Sequence, residues 1–161
     1  MIISHIVAIA KNNVIGKDND IPWRIPGEQL RFKELTMNNT VIMGRKTYES
    51  LGRKLKGRDI IVISKTLEEN NNQYRVAHTI NKALEMSKGK DEVFIAGGGQ
   101  LYKDTLHLAD KLYITVLDDE IEGTIFYPKI DESQYNVTFE KYVTEAVIPY
   151  TYYTYERLNF Y

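Results

Sequence analysis

The sequence predicts an α/β fold: a mostly parallel sheet closed by an antiparallel pair at the C-terminal end. Three observations carry this. Short apolar runs rich in β-branched residues recur along the chain, too continuous for strands with one wet face, and read as strands covered on both sides. Helical segments separate these runs, and the repeat of strand, helix and strand implies parallel strands with right-handed crossovers. From Tyr135 onward the pattern changes to imperfect alternation of apolar or aromatic with polar residues around Pro149, as in an antiparallel edge pair.

The chain has 161 residues, 43% hydrophobic and 27% charged, with net charge −1 and no cysteine. This length suits one domain over residues 1–161, burying roughly 70% of the surface of the unfolded chain. The charge gives no reason to expect a nucleic acid or membrane partner. Disulfides, thiolate-ligated metals and cysteine nucleophiles are excluded. Met1 to Ala10 lacks a basic leader and reads as a strand rather than a signal peptide, so a reducing, cytoplasmic setting is expected.

Ile2 to Ile9 is nearly continuous in apolar residues and predicts a central strand. Lys11 to Ile25 is a long connection, punctuated by Asn12, Asn13, Gly16, Asn19 and Pro22, and is a candidate lid. Pro26 starts a helix. Thr40 to Gly44 is a buried strand, Arg45 to Leu51 a helix opening directly from it, and Gly52 its stop. Asp59 to Ser64 supplies another strand, Glu68 to Gln73 a solvated loop, Tyr74 to Ala77 a short strand and Ile80 to Lys88 a helix. Glu92 to Ala96 is a strand, Gly97 to Gly99 a turn, Gln100 to Leu108 a helix and Lys111 to Leu117 the last strand of the alternating series. Tyr135 to Val143 and Tyr150 to Leu158 form the closing pair. The tyrosines at 150, 152, 153 and 155 read as strand packing.

Glu28 is the most telling residue. It is the third residue of the helix opened by Pro26, and at about 100° per residue it shares a face with Phe32 and Leu35, whereas Arg31, Lys33 and Glu34 lie to the side or back. Two readings compete. An acid in a first helical turn favours the helix dipole by about 0.3–1 kcal/mol and needs no chemistry. Alternatively, apolar neighbours such as Trp23 and Phe32 desolvate the carboxyl, raise its pKa and let it hold a proton near neutral pH.

Two glycine-containing strand-to-helix turns point to a ligand. Met43-Gly44-Arg45-Lys46-Thr47 puts two cations and a hydroxyl at the carboxyl end of a strand. Ala96-Gly97-Gly98-Gly99-Gln100-Leu101-Tyr102 offers bare backbone that a pyrophosphate can approach. Two such cradles suggest a dinucleotide. The common fingerprints fail, since Tyr102 stands where G-x-G-x-x-G needs its third glycine, and Arg58 and Asp59 replace the lysine and hydroxyl of a P-loop. Arg45 and Lys65, at the ends of adjacent strands, suit a 2′-phosphate and hence NADPH rather than NADH. His5, His78 and His107 show no metal spacing, and His5 reads as packed rather than catalytic. One acid beside a dinucleotide site suits hydride transfer, in which the cofactor supplies the hydride and the protein orientation and a proton.

Taken in order, these residues resemble the dihydrofolate reductase family: Val14-Ile15-Gly16, Ile21-Pro22-Trp23, Glu28 through Phe32, Val41 through Thr47, Leu55 through Arg58, Gly97 through Tyr102, and Glu122-Gly123 before Tyr127-Pro128. The resemblance implies an eight-stranded, mostly parallel sheet with an antiparallel C-terminal strand and four flanking helices. It also implies NADPH-dependent reduction of 7,8-dihydrofolate to tetrahydrofolate by a monomer, inhibited by antifolates such as trimethoprim or methotrexate.

Carried over by position, the resemblance makes Glu28 the active-site acid, with Thr115 bonding the acid and pterin and Trp23 positioning water. It implies that Ile6, Val7, Ile21, Gln29, Phe32, Leu51, Arg53, Leu55, Ala96 and Tyr102 line the substrate site and that Arg58 pairs with the glutamate carboxylate of the substrate. For NADPH it implies Ala8, Val14, Ile15, Gly16, Gly44, Arg45, Lys46, Thr47, Ile63, Ser64, Lys65, His78 and Gly97 through Tyr102. Gly97-Gly98 would be the family's cis peptide. Ala96, Gln29 and Thr124 depart from the family's usual bulkier apolar residue, leucine and aspartate. Gly27-Glu28-Gln29-Leu30 with Phe32-Lys33 resembles mobile-element versions that tolerate trimethoprim, so reduced sensitivity is expected. Two rivals stand beside this reading: a same-fold NADPH reductase of a riboflavin-pathway pyrimidine, and a non-catalytic nucleotide-binding module.

Overall fold

The central position expected of the first strand is where the chain places it. In a computed structural model describing residues 1–16, 26–51, 55–67, 73–145 and 148–158, without the side chains of 26–29, β1 (Ile2–Ile9) lies inside an eight-stranded sheet. The other members are β3 (Thr40–Gly44), β4 (Asp59–Ile63), β5 (Arg75–Ala77), β6 (Glu92–Ile95), β7 (Lys111–Leu117), β9 (Tyr135–Val143) and β10 (Tyr150–Arg157), while β2 (Val14–Gly16) and β8 (Ile125–Phe126) form a separate ladder. Their order is β5-β4-β3-β6-β1-β7-β10-β9. Pairing is parallel from β5 through β7, and β10 runs antiparallel to both β7 and β9.

Helices cover both faces, which is why the inner strands read as continuous apolar runs. Phe32 and Leu35 of α1 (Pro26–Thr36) and Tyr48 and Leu51 of α2 (Arg45–Leu51) pack on one face with Ile6, Val41, Met43, Val62 and Phe94. Ile80 and Leu84 of α3 (Ile80–Met86) and Leu101 of α4 (Gly99–Thr105) pack on the other with Val7, Ile9, Ile42, Ile61, Ile95 and Leu112. Tyr150 and Tyr152 are buried, as strand packing requires.

Three local expectations change. The helix predicted to Lys88 ends at Met86, because Ser87 caps it and its hydroxyl donates back to Ala83 O at 2.8 Å. The helix predicted over 100–108 tightens after Thr105 into a 3₁₀ turn at Leu106–Leu108. The connection after β1 contains a strand, β2 (Val14–Gly16), paired antiparallel with β8 (Ile125–Phe126). Asn12 reinforces that ladder by donating to Ile121 O at 3.1 Å and accepting from Ile121 N–H at 3.4 Å. The rest of the candidate lid, residues 17–25, the helix stop at Gly52, and residues 68–72 of the solvated loop lie outside the described residues.

His5 is packed, as expected, and its surroundings define its charge. Burial lowers its pKa from 6.5 to about 3, so the folded protein holds it neutral. In the unfolded chain it titrates near its ordinary value, so between those two values the unfolded state binds more protons. The stability this group contributes is therefore complete above the unfolded pKa and is lost as pH falls toward the folded one. Its slope approaches about 1.4 kcal/mol per pH unit. Urea unfolding at several pH values should show this acid-side slope, and His5→Leu should flatten it. Equal slopes in the two proteins would contradict this account of His5.

Candidate active site

Strands β3 and β6 end side by side, and the chain leaves both through glycine. Gly44 N–H donates to Gly97 O at 2.8 Å, and Ala96 N–H donates to Ile42 O at 2.9 Å, holding the two exits together. The Gly97-Gly98 peptide is cis. A Cβ on Gly98 would lie 3.4 Å from Thr47 Oγ1, and one on Gly44 would lie 3.8 Å from Gly97 O. Side chains here would fill the cleft between the two exits, whereas bare backbone leaves it open to a pyrophosphate. The residues present therefore fit a dinucleotide.

A second cluster lies where β4 ends. Ser64 Oγ accepts from the N–H groups of Thr66 and Leu67 at 3.2 and 3.1 Å, folding the chain into a tight turn beyond the strand. Arg45 Nη1 reaches Thr66 Oγ1 at 3.3 Å, while its Nε pairs with Glu49 at 2.9 Å. His78 Nε2 lies 2.9 Å from Leu67 O. Arg45, Ser64 and His78 are thus gathered around one turn, with Lys65 exposed on it, as a phosphate site requires. Thr66 was not singled out by sequence. Its signal was a hydroxyl two residues after Ser64, the spacing of such a turn.

The other candidate cofactor residues fall around these two clusters. Lys46 is exposed and Thr47 half-buried on α2. Val14 is buried, Ile15 approaches the position of Gly99, and Gly16 pairs with Ile125. Ile63, Leu101 and Tyr102 pack on the α3 and α4 side, and Gln100 is exposed and donates to Asp104 at 2.8 Å. Ala8 lies on β1, the strand beside β6, in register with Thr115 of β7.

On the α1 and α2 face, Ile6, Leu55, Phe32, Leu51 and Ala96 join one apolar cluster, a wall suited to a flat ring. Thr115 is 2% exposed and lies opposite Tyr152 of β10. Val7 is displaced from this wall. Strand alternation turns its side chain to the other face with Ile9 and Ile42, so only its backbone borders the pocket. Tyr102 also packs on that other face, where its hydroxyl donates to Ile6 O at 2.7 Å.

Arg58 is half-buried at the edge of this wall. Its Nη1 donates to Thr36 Oγ1 at 3.4 Å, and its guanidinium lies 5.9 Å from the centre of the Phe32 ring. Partial burial lowers its pKa from the ordinary guanidinium value, and arginine keeps its charge in proteins regardless. Thr36, which sequence reasoning missed, is fully buried and donates to Phe32 O at 2.6 Å, so it ties the guanidinium to α1. Ile21, Trp23 and Arg53, and the side chains of Glu28 and Gln29, lie outside the described residues. The backbone of α1 nevertheless places Glu28 one turn before Phe32, which packs into the apolar wall. Among the described residues no cluster of His, Cys, Asp or Glu could hold a metal ion, and no helix is long and apolar enough to cross a membrane.

The family model for dihydrofolate reductase matches residues 2–157. A dihydrofolate reductase from Bacillus subtilis is 39% identical over 151 residues, covering 93% of this chain and 90% of that one. Dihydrofolate reductase type 3 from Salmonella typhimurium is 43% identical over 128 residues, covering 80% of this chain and 79% of that one. The structure of dihydrofolate reductase from Enterococcus faecalis complexed with NADP(H) and RAB-propyl superimposes with a TM-score of 0.89 at 31% identity, covering 98% of this chain and 97% of that one.

Proposed function

The chain belongs to the dihydrofolate reductase family, and on that premise we propose how its own residues divide the work of reducing 7,8-dihydrofolate to tetrahydrofolate with NADPH. The observation that carries the division is the meeting of two sites at one place. The glycine exits lie at the carboxyl ends of β3 and β6, strands whose Val41, Met43 and Phe94 help build the apolar wall on the α1 face, and Thr115 stands in register with Ala8 of β1, the strand that brings Ile6 to that wall.

NADPH, when bound, supplies the hydride that C6 of the pterin accepts. The glycines at 44, 97 and 98 admit its pyrophosphate, and Arg45, Ser64, Lys65 and His78 hold its 2′-phosphate end. Ile6, Phe32, Leu51, Leu55 and Ala96 exclude water from the pterin and orient it. Glu28, bonded by Thr115, holds the ring and assists delivery of one proton to N5, with Trp23 positioning the water that carries it. The balance is one hydride and one proton added across the C6–N5 double bond. Arg58 receives the substrate's glutamate carboxylate, a planar fork meeting a planar anion.

Arg58→Ala tests the division between ring and tail. It should raise KM for dihydrofolate by roughly tenfold or more and leave kcat within about twofold, the pattern of lost uniform binding. An unchanged KM would remove Arg58 from the substrate site.

The proposal extends to drug response and setting. Gln29 beside Glu28 supports reduced trimethoprim sensitivity, and a titration of turnover with trimethoprim checks it. Inhibition as tight as in a sensitive bacterial reductase would refute it. A chain without cysteine suits a reducing, cytoplasmic location. We place residues 1–161 in one domain acting as a monomer, which equilibrium sedimentation tests.

A further inference from the structure

A buried polar relay crosses the molecule behind the glycine cradle, and the reduction chemistry above does not use it. His5 on β1 is 0% exposed and has a partner on each ring nitrogen: Tyr127 Oη at 2.8 Å from Nδ1, and Thr105 Oγ1 at 2.8 Å from Nε2. The direction of each bond follows from proton count. Thr105 Oγ1 donates its only hydrogen to Leu101 O at 2.7 Å, so toward the imidazole it accepts. Nε2 therefore carries the proton, and Nδ1 accepts from the Tyr127 hydroxyl. A neutral ring agrees with its burial-lowered pKa of about 3.

The elements this relay joins give it consequence. Tyr127 follows β8, and its backbone N–H donates to Asn13 O at 2.9 Å, so it anchors the β2–β8 ladder. Thr105 is the last residue of α4. At the other end of that helix, a Cβ on Gly99 would lie 2.6 Å from Ile125 Cγ2, so α4 and β8 are in close contact there too. Between the two ends stands Tyr102, with ring centroids 5.2 Å from both His5 and Tyr127. Its ring edge lies 3.2 Å from where a Cβ of Gly97 would be. The helix is thus held to the ladder at both ends, and Tyr102 from its middle occupies the space beside Gly97 that a side chain there would need.

We propose that His5 is a positioning residue for the cofactor cradle: by bridging Tyr127 and Thr105 it locks α4 to the β2–β8 ladder and so sets the place of Gly97 and Gly98. The relay lies on the α3 and α4 side of the sheet, whereas the substrate wall lies on the other side, so its loss should act on NADPH and spare dihydrofolate. This rests on the reading that NADPH occupies the glycine cradle.

The test uses Tyr127→Phe, which removes the hydroxyl facing Nδ1, Thr105→Val, which removes the acceptor for Nε2–H, and Thr105→Ser, which restores that acceptor. NADPH affinity is measured by titration calorimetry and KM for both substrates by steady-state kinetics. The first two variants should weaken NADPH binding about fivefold or more, a typical coupling between linked sites. KM for dihydrofolate should stay within about twofold of wild type, and Thr105→Ser should regain the wild-type affinity. A general loosening of the core would weaken both substrates alike or lower only the melting temperature, and either result overturns the proposal. Wild-type protein that binds NADPH while the variants match it overturns this inference alone. Wild-type protein that binds no NADPH overturns it together with the reading it rests on.

Discussion

Glu28→Gln should leave NADPH binding intact and lower turnover at neutral pH by roughly a hundred- to ten-thousandfold, the usual weight of a positioned general acid. The amide keeps the shape of the side chain and one hydrogen-bonding oxygen, so the pterin still has a partner on α1. What it lacks is a proton to give. In the variant the N5 proton comes from solution, so the residual rate should climb as pH falls. Stopped-flow hydride transfer across a pH series, together with calorimetric NADPH titration, reads both effects. Unchanged turnover would remove Glu28 from the proton path and return it to a role at the helix dipole.

Gly97→Ala should strain both the backbone and the packing of the cradle. Gly97 has φ +109°, a conformation that L side chains rarely adopt, and a Cβ there would meet Tyr102 Cε2 at 3.2 Å and its hydroxyl at 3.3 Å. That ring cannot easily retreat, because its hydroxyl is bonded to Ile6 O and the ring packs against those of His5 and Tyr127. We expect a stability loss of about 1–3 kcal/mol in urea unfolding, with weaker NADPH binding. Gly44→Ala provides the contrast. Its φ is ordinary and its nearest neighbours lie at 3.8 and 3.9 Å, so the fold should tolerate it while the added methyl intrudes on the phosphates. Wild-type stability and affinity in Gly97→Ala would show that the turn is not constrained as described.

Much of this arrangement was legible in the sequence because it is local. Continuous apolar runs marked strands covered on both faces, and Gly97-Gly98-Gly99 directly after one of them marked the cradle. What escaped depends on partners distant in the chain. The strands β2 and β8 have three and two residues and are defined by each other across more than a hundred positions, so neither shows a period of its own. Tyr127 and Thr105 looked like ordinary residues until the fold brought them to His5. Val7 was assigned to the pocket together with Ile6, although alternation along a strand sends neighbouring side chains to opposite faces. Arg31, read as lying at the side or back of α1, is half-buried with its guanidinium 4.0 Å from the ring centre of Tyr152. Cation–π contacts of this kind leave no periodic trace in sequence.

The most direct test of the account is NADPH oxidation, followed by absorbance, with and without dihydrofolate, on wild type and Glu28→Gln side by side. Oxidation should depend on dihydrofolate in wild type and be largely lost at neutral pH in the variant, with NADPH bound by both. Oxidation independent of dihydrofolate, or equal rates in the two proteins, would contradict it.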